Sequence, residues 1–252
     1  MKVITGFEMQ ELDKFVINSL GISAQVLMER AGLGVAENIF KYYPLEKYKK
    51  VLIICGPGNN GGDGMVCGRY LWDKGYEVKI IILGKKNKYK GEALINLKIL
   101  ENLKLPLEEI EEISRFKNLL QSYSPDILVD AIFGTGLKRP VEGFFKEVIN
   151  EMNDYKIKKG AKVVAVDIPS GICANTGQVL GIALKADLTV TFELPKIGHF
   201  FYPGKEYIGK LEVVPIGFPS KIVEEKGPKR EYLDFNWAKK IFKPRKGYTH
   251  KG

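Results

Sequence analysis

The sequence predicts an α/β protein: a three-layer α/β/α arrangement with a mostly parallel sheet and two extra N-terminal helices. Three observations carry that prediction. From Lys50 onward short β-branched runs alternate with helical segments, the rhythm of parallel strands joined by crossover helices. The chain has 252 residues, 45% hydrophobic and 27% charged, enough for one large core and close to the globular average. Polar clusters rich in Gly, Asn and Asp follow three of the expected strands, where an α/β sheet binds its ligands.

Taken in order, the first fifty residues read as two helices. Thr5-Gly-Phe-Glu8 has capping-box spacing, and Ser23 caps a second helix carrying Leu27, Ala31, Val35, Ile39 and Phe40. Strands are expected at 51–55, 78–83, 127–131, 163–166, 188–192 and 211–214, and helices at 62–74, 91–103, 114–122 and 143–153. No internal repeat or low-complexity segment interrupts them. After Gly217-Phe218-Pro219 the strand rhythm ends, so residues 1–219 are expected to form one domain and 220–252 a basic extension or linker.

Composition excludes several classes. No apolar run approaches the roughly 20 residues of a membrane span, and the N-terminus lacks a signal-peptide pattern, so a cytoplasmic protein without a membrane partner is expected. Cys55, Cys67 and Cys173 form no CxxC pair and read as small buried hydrophobes of a reducing compartment. Two histidines, His199 and His250, are too few for a histidine-built zinc or iron centre. After Ser220 ten basic and four acidic residues carry +6 of the net charge of +9. No aromatic-basic repeat accompanies them, which argues against a nucleic-acid partner.

The chemistry gathers at three strand ends. Gly56-Pro-Gly58-Asn59-Asn60-Gly61-Gly62-Asp63-Gly64 follows the first strand, Gly134-Thr135-Gly136-Leu137-Lys138-Arg139-Pro140 follows Asp130, and Asp167-Ile-Pro169-Ser170-Gly171 follows the 163–166 strand. Gly56-x-Gly58-x-x-Gly61 matches the dinucleotide fingerprint, in which glycines let the backbone approach a pyrophosphate at a helix N-terminus. The second strand, however, runs into Gly84-Lys85-Lys86 instead of the acid that holds a ribose hydroxyl, which disfavours an ordinary hydride-transfer site. Asn60, Asp130 and Ser170 are hard oxygen donors suited to a group I or II cation, and the low carboxylate count favours a monovalent one. The same residue types also favour turns and caps.

Asp167, between an apolar strand and a proline, is the candidate general acid or base; a partly desolvated crevice would raise its pKa toward neutrality. An N-cap or loop acceptor is the plainer role. Thr135, Lys138 and Arg139 could hold a phosphate or form a solvated basic loop. Phe200, Phe201 and Tyr202 are expected to pack in the core, with His199 structural.

Together, Asn59-Asn60-Gly61-Gly62-Asp63-Gly64, Asp130-Ala-Ile-Phe-Gly134-Thr135-Gly136-Leu137 and Val166-Asp167-Ile168-Pro169-Ser170-Gly171, with Leu27-Met-Glu-Arg-Ala-Gly32 and Pro195-Lys196-Ile-Gly198, resemble the NAD(P)H-hydrate epimerases, the YjeF N-terminal domain family. The resemblance spans about residues 1–219. It implies a Rossmann-like domain that interconverts the R and S epimers of NADHX and NADPHX, hydrates formed when water adds to the reduced nicotinamide ring. It also implies that Asn59 to Asp63 and Gly134 to Pro140 contact the hydrated dinucleotide. Asp167 would then lie at the ring, and a potassium ion on Asn60, Asp130 and Ser170. Lys243-Pro-Arg245 and His250-Lys-Gly252 resemble the junction to a hydrate dehydratase domain, implying a fused partner. A homodimer through the N-terminal helices is a further expectation. Because related domains also serve as scaffolds, a non-catalytic nucleotide-binding module is the alternative.

Overall fold

A computed structural model describes residues 1–233, Trp237 and Lys239. The junction-like residues 243–252, His250 included, lie outside the described residues. The elements are α1 (Gly6–Asn18), α2 (Ala24–Tyr42), β1 (Lys50–Cys55), α3 (Asn59–Asp73), β2 (Glu77–Leu83), α4 (Gly91–Asn102), β3 (Leu107–Ile110), α5 (Ile113–Tyr123), β4 (Ile127–Ala131), α6 (Gly143–Lys159), β5 (Lys162–Val166), β6 (Leu188–Phe192), β7 (Lys210–Val214) and α7 (Ser220–Lys226).

One sheet takes the order β3-β2-β1-β4-β5-β6-β7, and every pairing in it is parallel. Alternation of side chains sorts the strands between two cores. Leu52, Ile54, Leu128 and Val163 pack with Phe116 and Met152 of α5 and α6. Val51, Ile53, Val129 and Val164 pack on the other face with residues of α2, α3 and α4. Burying each such aliphatic side chain contributes about 1.5–3 kcal/mol, so the central strands hold the frame on which the loops are mounted.

Both N-terminal caps form as expected. The Thr5 side chain accepts from the Glu8 N–H while Glu8 reaches back to the Thr5 N–H, and Ser23 accepts from Val26 N–H. Close packing then seats α2 on α3: a Cβ at Gly32 would stand 2.4 Å from Val66 Cβ. These helices are therefore part of the domain, lying across its sheet on the α3 side.

Two differences from expectation concern elements. The sheet has a seventh strand, β3, pairing with β2 at the edge; its Leu-Glu-Glu-Ile sequence carries two acids that an edge strand tolerates. The segment 220–233, read as an extension, folds back on the chain's beginning. Tyr232 N–H donates to Met1 O at 2.8 Å, Arg230 forks onto Glu8 at 2.5 and 2.7 Å, and the Tyr232 ring stacks on Phe200 with centroids 4.2 Å apart. Among the described residues, no helix is long and apolar enough to cross a membrane.

Candidate active site

The strand order reverses between β1 and β4, and the crevice beyond their carboxyl ends is where open α/β sheets bind ligands. A cavity of about 650 Å³ lies there. Its rim carries Pro57 to Asn60 and Asp63 from the β1–α3 turn, Ile132 to Arg139 after β4, Asp167 after β5, Phe192 at the end of β6 and Lys196 beyond it. Asn60 and Asp167, far apart in sequence, thus meet at this cavity, whereas the expected cation ligands Asp130 and Ser170 do not line it.

The turn after β1 is built by close approach. A Cβ on Gly61 would stand 2.0 Å from Gly56 O, and one on Gly56 would stand 2.1 Å from Ile132 O, so the first turn of α3 presses directly on its own loop. The helix start aims its positive end at the cavity, a ready site for an anionic group. Of the expected contact residues, Asn59, Asn60, Asp63, Gly134, Thr135, Gly136, Leu137, Lys138 and Arg139 line the cavity. Gly61 and Gly62 lie beneath its surface as packing positions, and Pro140 is exposed outside it.

Asp167 sits at φ +67°, a left-handed conformation that Asp adopts more readily than most residues. Its Oδ1 accepts from Lys196 Nζ at 2.6 Å and Thr191 Oγ1 at 2.8 Å. Lys196 is fully buried and also reaches Thr191 Oγ1 and Phe192 O. His199 braces the pair: Lys196 N–H donates to His199 Nδ1, which leaves Nε2–H to donate to Asp167 O at 3.0 Å. Burial pushes His199 down to about 4, with the Lys196 charge adding to it, so the ring is neutral at pH 7.

This arrangement corrects the expected titration of Asp167. Burial does push its carboxyl upward, but the Lys196 charge and the hydrogen bonds from Lys196 and Thr191 outweigh it and hold the group below the ordinary carboxylate range. Asp167 is an ion-paired carboxylate, not a neutral acid. Raised acids stand nearby instead: burial, with the charges of Asp167 and Asp13, pushes Asp63 well above its usual range.

Asp130 and Ser170 meet in the buried interior behind Ile132 and Phe133, outside the cavity lining. Ser170 Oγ and N–H donate to the two Asp130 oxygens at 2.6 and 2.7 Å, Ile132 N–H adds a third bond at 3.2 Å, and Ser170 Oγ accepts from Phe133 N–H. Asp130 is completely buried, and burial pushes it up to about 6 against those hydrogen bonds. No cation pairs with it among the described residues. Asn60 stands beside Gly134, where a Cβ would come 3.0 Å from its Oδ1, and its buried Nδ2 has no partner. An uncompensated carboxylate, a hydroxyl and an amide that can present oxygen after a half-turn fit a hard monovalent cation.

Sequence reading missed one wall. Met9, Gln10, Asp13 and Ile17 of α1, with Ala24, Leu27, Met28 and Ala31 around α2, close the cavity. The N-terminal helices, expected as a dimer face, turn their inner surface to the site, while Phe7, Leu20 and Val26 remain exposed. Phe201 and Tyr202, expected in the core, are also exposed, and Cys173 is half-buried.

Several known proteins are similar to this chain. An NAD(P)H-hydrate epimerase of Limosilactobacillus fermentum is 39% identical over 212 residues, covering 84% of this chain and 95% of that protein. A bifunctional NAD(P)H-hydrate repair enzyme Nnr of Thermofilum pendens is 39% identical over 253 residues, all of this chain and 46% of the relative. The chain thus spans about half the length of such bifunctional relatives. The crystal structure of the yeast protein ynu0 superimposes with a TM-score of 0.77 at 26% identity, covering 94% of this chain and 98% of that one. The family model for the YjeF-related protein N-terminus matches residues 24–198, from the start of α2 past the Asp167–Lys196 pair. The chain belongs to that family.

Proposed function

We infer that this domain is an NAD(P)H-hydrate epimerase, an isomerase interconverting the R and S forms of NADHX and NADPHX. The observation that carries the reading is the convergence of Asp167, Lys196 and the Asn59–Asp63 turn on one cavity at the sheet's switch point, in a chain that aligns along nearly the full length of a relative named for this activity. The α3 N-terminus with Lys138 and Arg139 would hold the phosphates, and the apolar wall from α1 and α2 would shield the nicotinamide ring. A potassium ion on Asn60, Asp130 and Ser170 would neutralise the buried Asp130 carboxylate and steady the two loops that hold the dinucleotide. The likeness to bifunctional repair enzymes supports a fused dehydratase as partner.

In this reading Asp167, already ionised, takes a proton from the substrate's C6 hydroxyl and returns it once the stereocentre has lost its configuration. Lys196 holds the carboxylate in place and His199 fixes its backbone. A positioned acid or base contributes about 10²- to 10⁴-fold in rate. Asp167→Asn should therefore convert R-NADHX to the S form that much more slowly while still binding oxidised dinucleotide. An unchanged rate would overturn the assignment, and absence of epimerisation by the wild type would favour a non-catalytic binding module.

A further inference from the structure

Asp13 belongs to no motif singled out in the sequence, yet it is the one charged side chain that the two N-terminal helices put into the cavity. Met9, Gln10, Asp13 and Ile17 recur at helical spacing on the inner face of α1, so the carboxyl is set in an otherwise mostly apolar wall. That wall is held firmly. The capping box fixes the first turn of α1, and Arg230 grips Glu8 from outside. Among the described residues no hydrogen bond or ion pair occupies the Asp13 side chain, whereas Asp167 is anchored by Lys196 and Thr191. Asp63 also lines the cavity without such a bond, but from the β1–α3 turn rather than from the apolar wall.

Asp13 feels Lys196, Asp167 and Glu193, and Asp63 feels Asp13 in turn. Glu92, Lys138 and Arg139 are the other charged residues around the cavity. Burial, reinforced by its two acidic neighbours and opposed by Lys196, pushes the Asp13 carboxyl up to about 6. Asp167 moves in the opposite direction. Two carboxyl groups driven apart by their surroundings are the pattern of an acid working against a base.

Resting on the epimerase reading above, we propose that Asp13 is a second catalytic residue, the acid that exchanges a proton with the ring nitrogen while Asp167 exchanges one with the C6 hydroxyl. The step balances without any co-reactant. Asp167 takes the hydroxyl proton, the C6–O bond becomes a carbonyl, and the N1–C6 bond breaks with its electron pair passing to N1, which takes the proton from Asp13. Rotation about the freed chain turns the other face of the aldehyde to N1. Closure then runs the same transfers backward, restoring Asp13 as acid and Asp167 as carboxylate.

The test compares wild type, Asp13→Asn and Asp13→Glu in R-to-S conversion of NADHX, after subtraction of the uncatalysed rate. Expected for Asp13→Asn is a kcat loss of about 10²-fold or more, with unchanged affinity for oxidised dinucleotide; Asp13→Glu, keeping an acid on a longer stem, should recover part of it. Wild-type kcat should also fall as pH rises past the ionisation of Asp13, a limb missing from Asp13→Asn. A variant within threefold of wild type, a loss confined to KM, or a wild-type profile without that alkaline limb would each overturn the proposal. The last of these needs no variant to fold. Failure of the wild type to epimerise at all would instead sink the underlying reading.

Discussion

Lys196 Nζ lies 2.6 Å from Asp167 Oδ1, an ion pair joining residues from two different strand ends and sealed from solvent on the lysine side. Removing one partner of such a pair leaves an uncompensated buried charge. Lys196→Met should therefore destabilise the fold by about 3–5 kcal/mol, measured by urea unfolding at pH 7. The double variant Lys196→Met/Asp167→Asn should recover part of that loss. No recovery would mean that the lysine acts through packing alone.

The β1–α3 turn sets up a contrast between two glycines. A Cβ on Gly61 would collide with the Gly56 carbonyl, whereas a Cβ on Gly58 meets nothing within 4 Å. Gly61→Ala should cost about 1–3 kcal/mol, the range of an overpacked site, and weaken dinucleotide binding. Gly58→Ala should leave unfolding nearly unchanged. Thermal melts and titration with oxidised dinucleotide check both, and equal behaviour of the two variants would count against the tight-turn account.

Potassium should stabilise the protein in the absence of substrate. A ligand present at 100 times its Kd adds about 2.7 kcal/mol, and each kcal/mol is worth about 2–4 °C in Tm for a chain of this size. Differential scanning fluorimetry in potassium chloride against a bulky organic cation should show such a rise in the wild type. Asp130→Asn should abolish it. A response that survives the substitution would place the ion elsewhere.

His199 supplies a pH dependence of known sign. Its folded pKa of about 4 lies below the ordinary value near 6.5, so the unfolded chain binds the extra proton between those limits. The stability that the neutral ring contributes is fully present above about pH 6.5 and disappears as pH falls toward 4, a change of about 3 kcal/mol. The gap in unfolding free energy between wild type and His199→Gln should shrink over that window. A gap independent of pH would show that the ring's protonation is not linked to folding.

Much of this architecture could be read from the residues alone because apolar runs and turn residues repeat with little ambiguity. The caps at Thr5 and Ser23 and the three loops at the rim are local signals, visible in a few adjacent letters. The edge strand Leu107–Ile110 was not legible, since adjacent glutamates erase the strand pattern. The Asp167 titration was read in the wrong direction because its partner stands 29 positions away and only folding brings the two together. Asp13 escaped notice for a related reason: an acid on an amphipathic helix looks like solvent-facing charge until the fold shows which side is inward.

The Arg230–Glu8 clasp makes the two extremities of the described chain interdependent. Trimming the protein back to its last strand would keep the whole sheet and remove this tie, leaving the first helix on its capping box and on Met9, Leu12 and Val16 in the core. What reads as a disposable appendage is thus one more tie on the chain's opening turn, reaching it from the far end of the sequence.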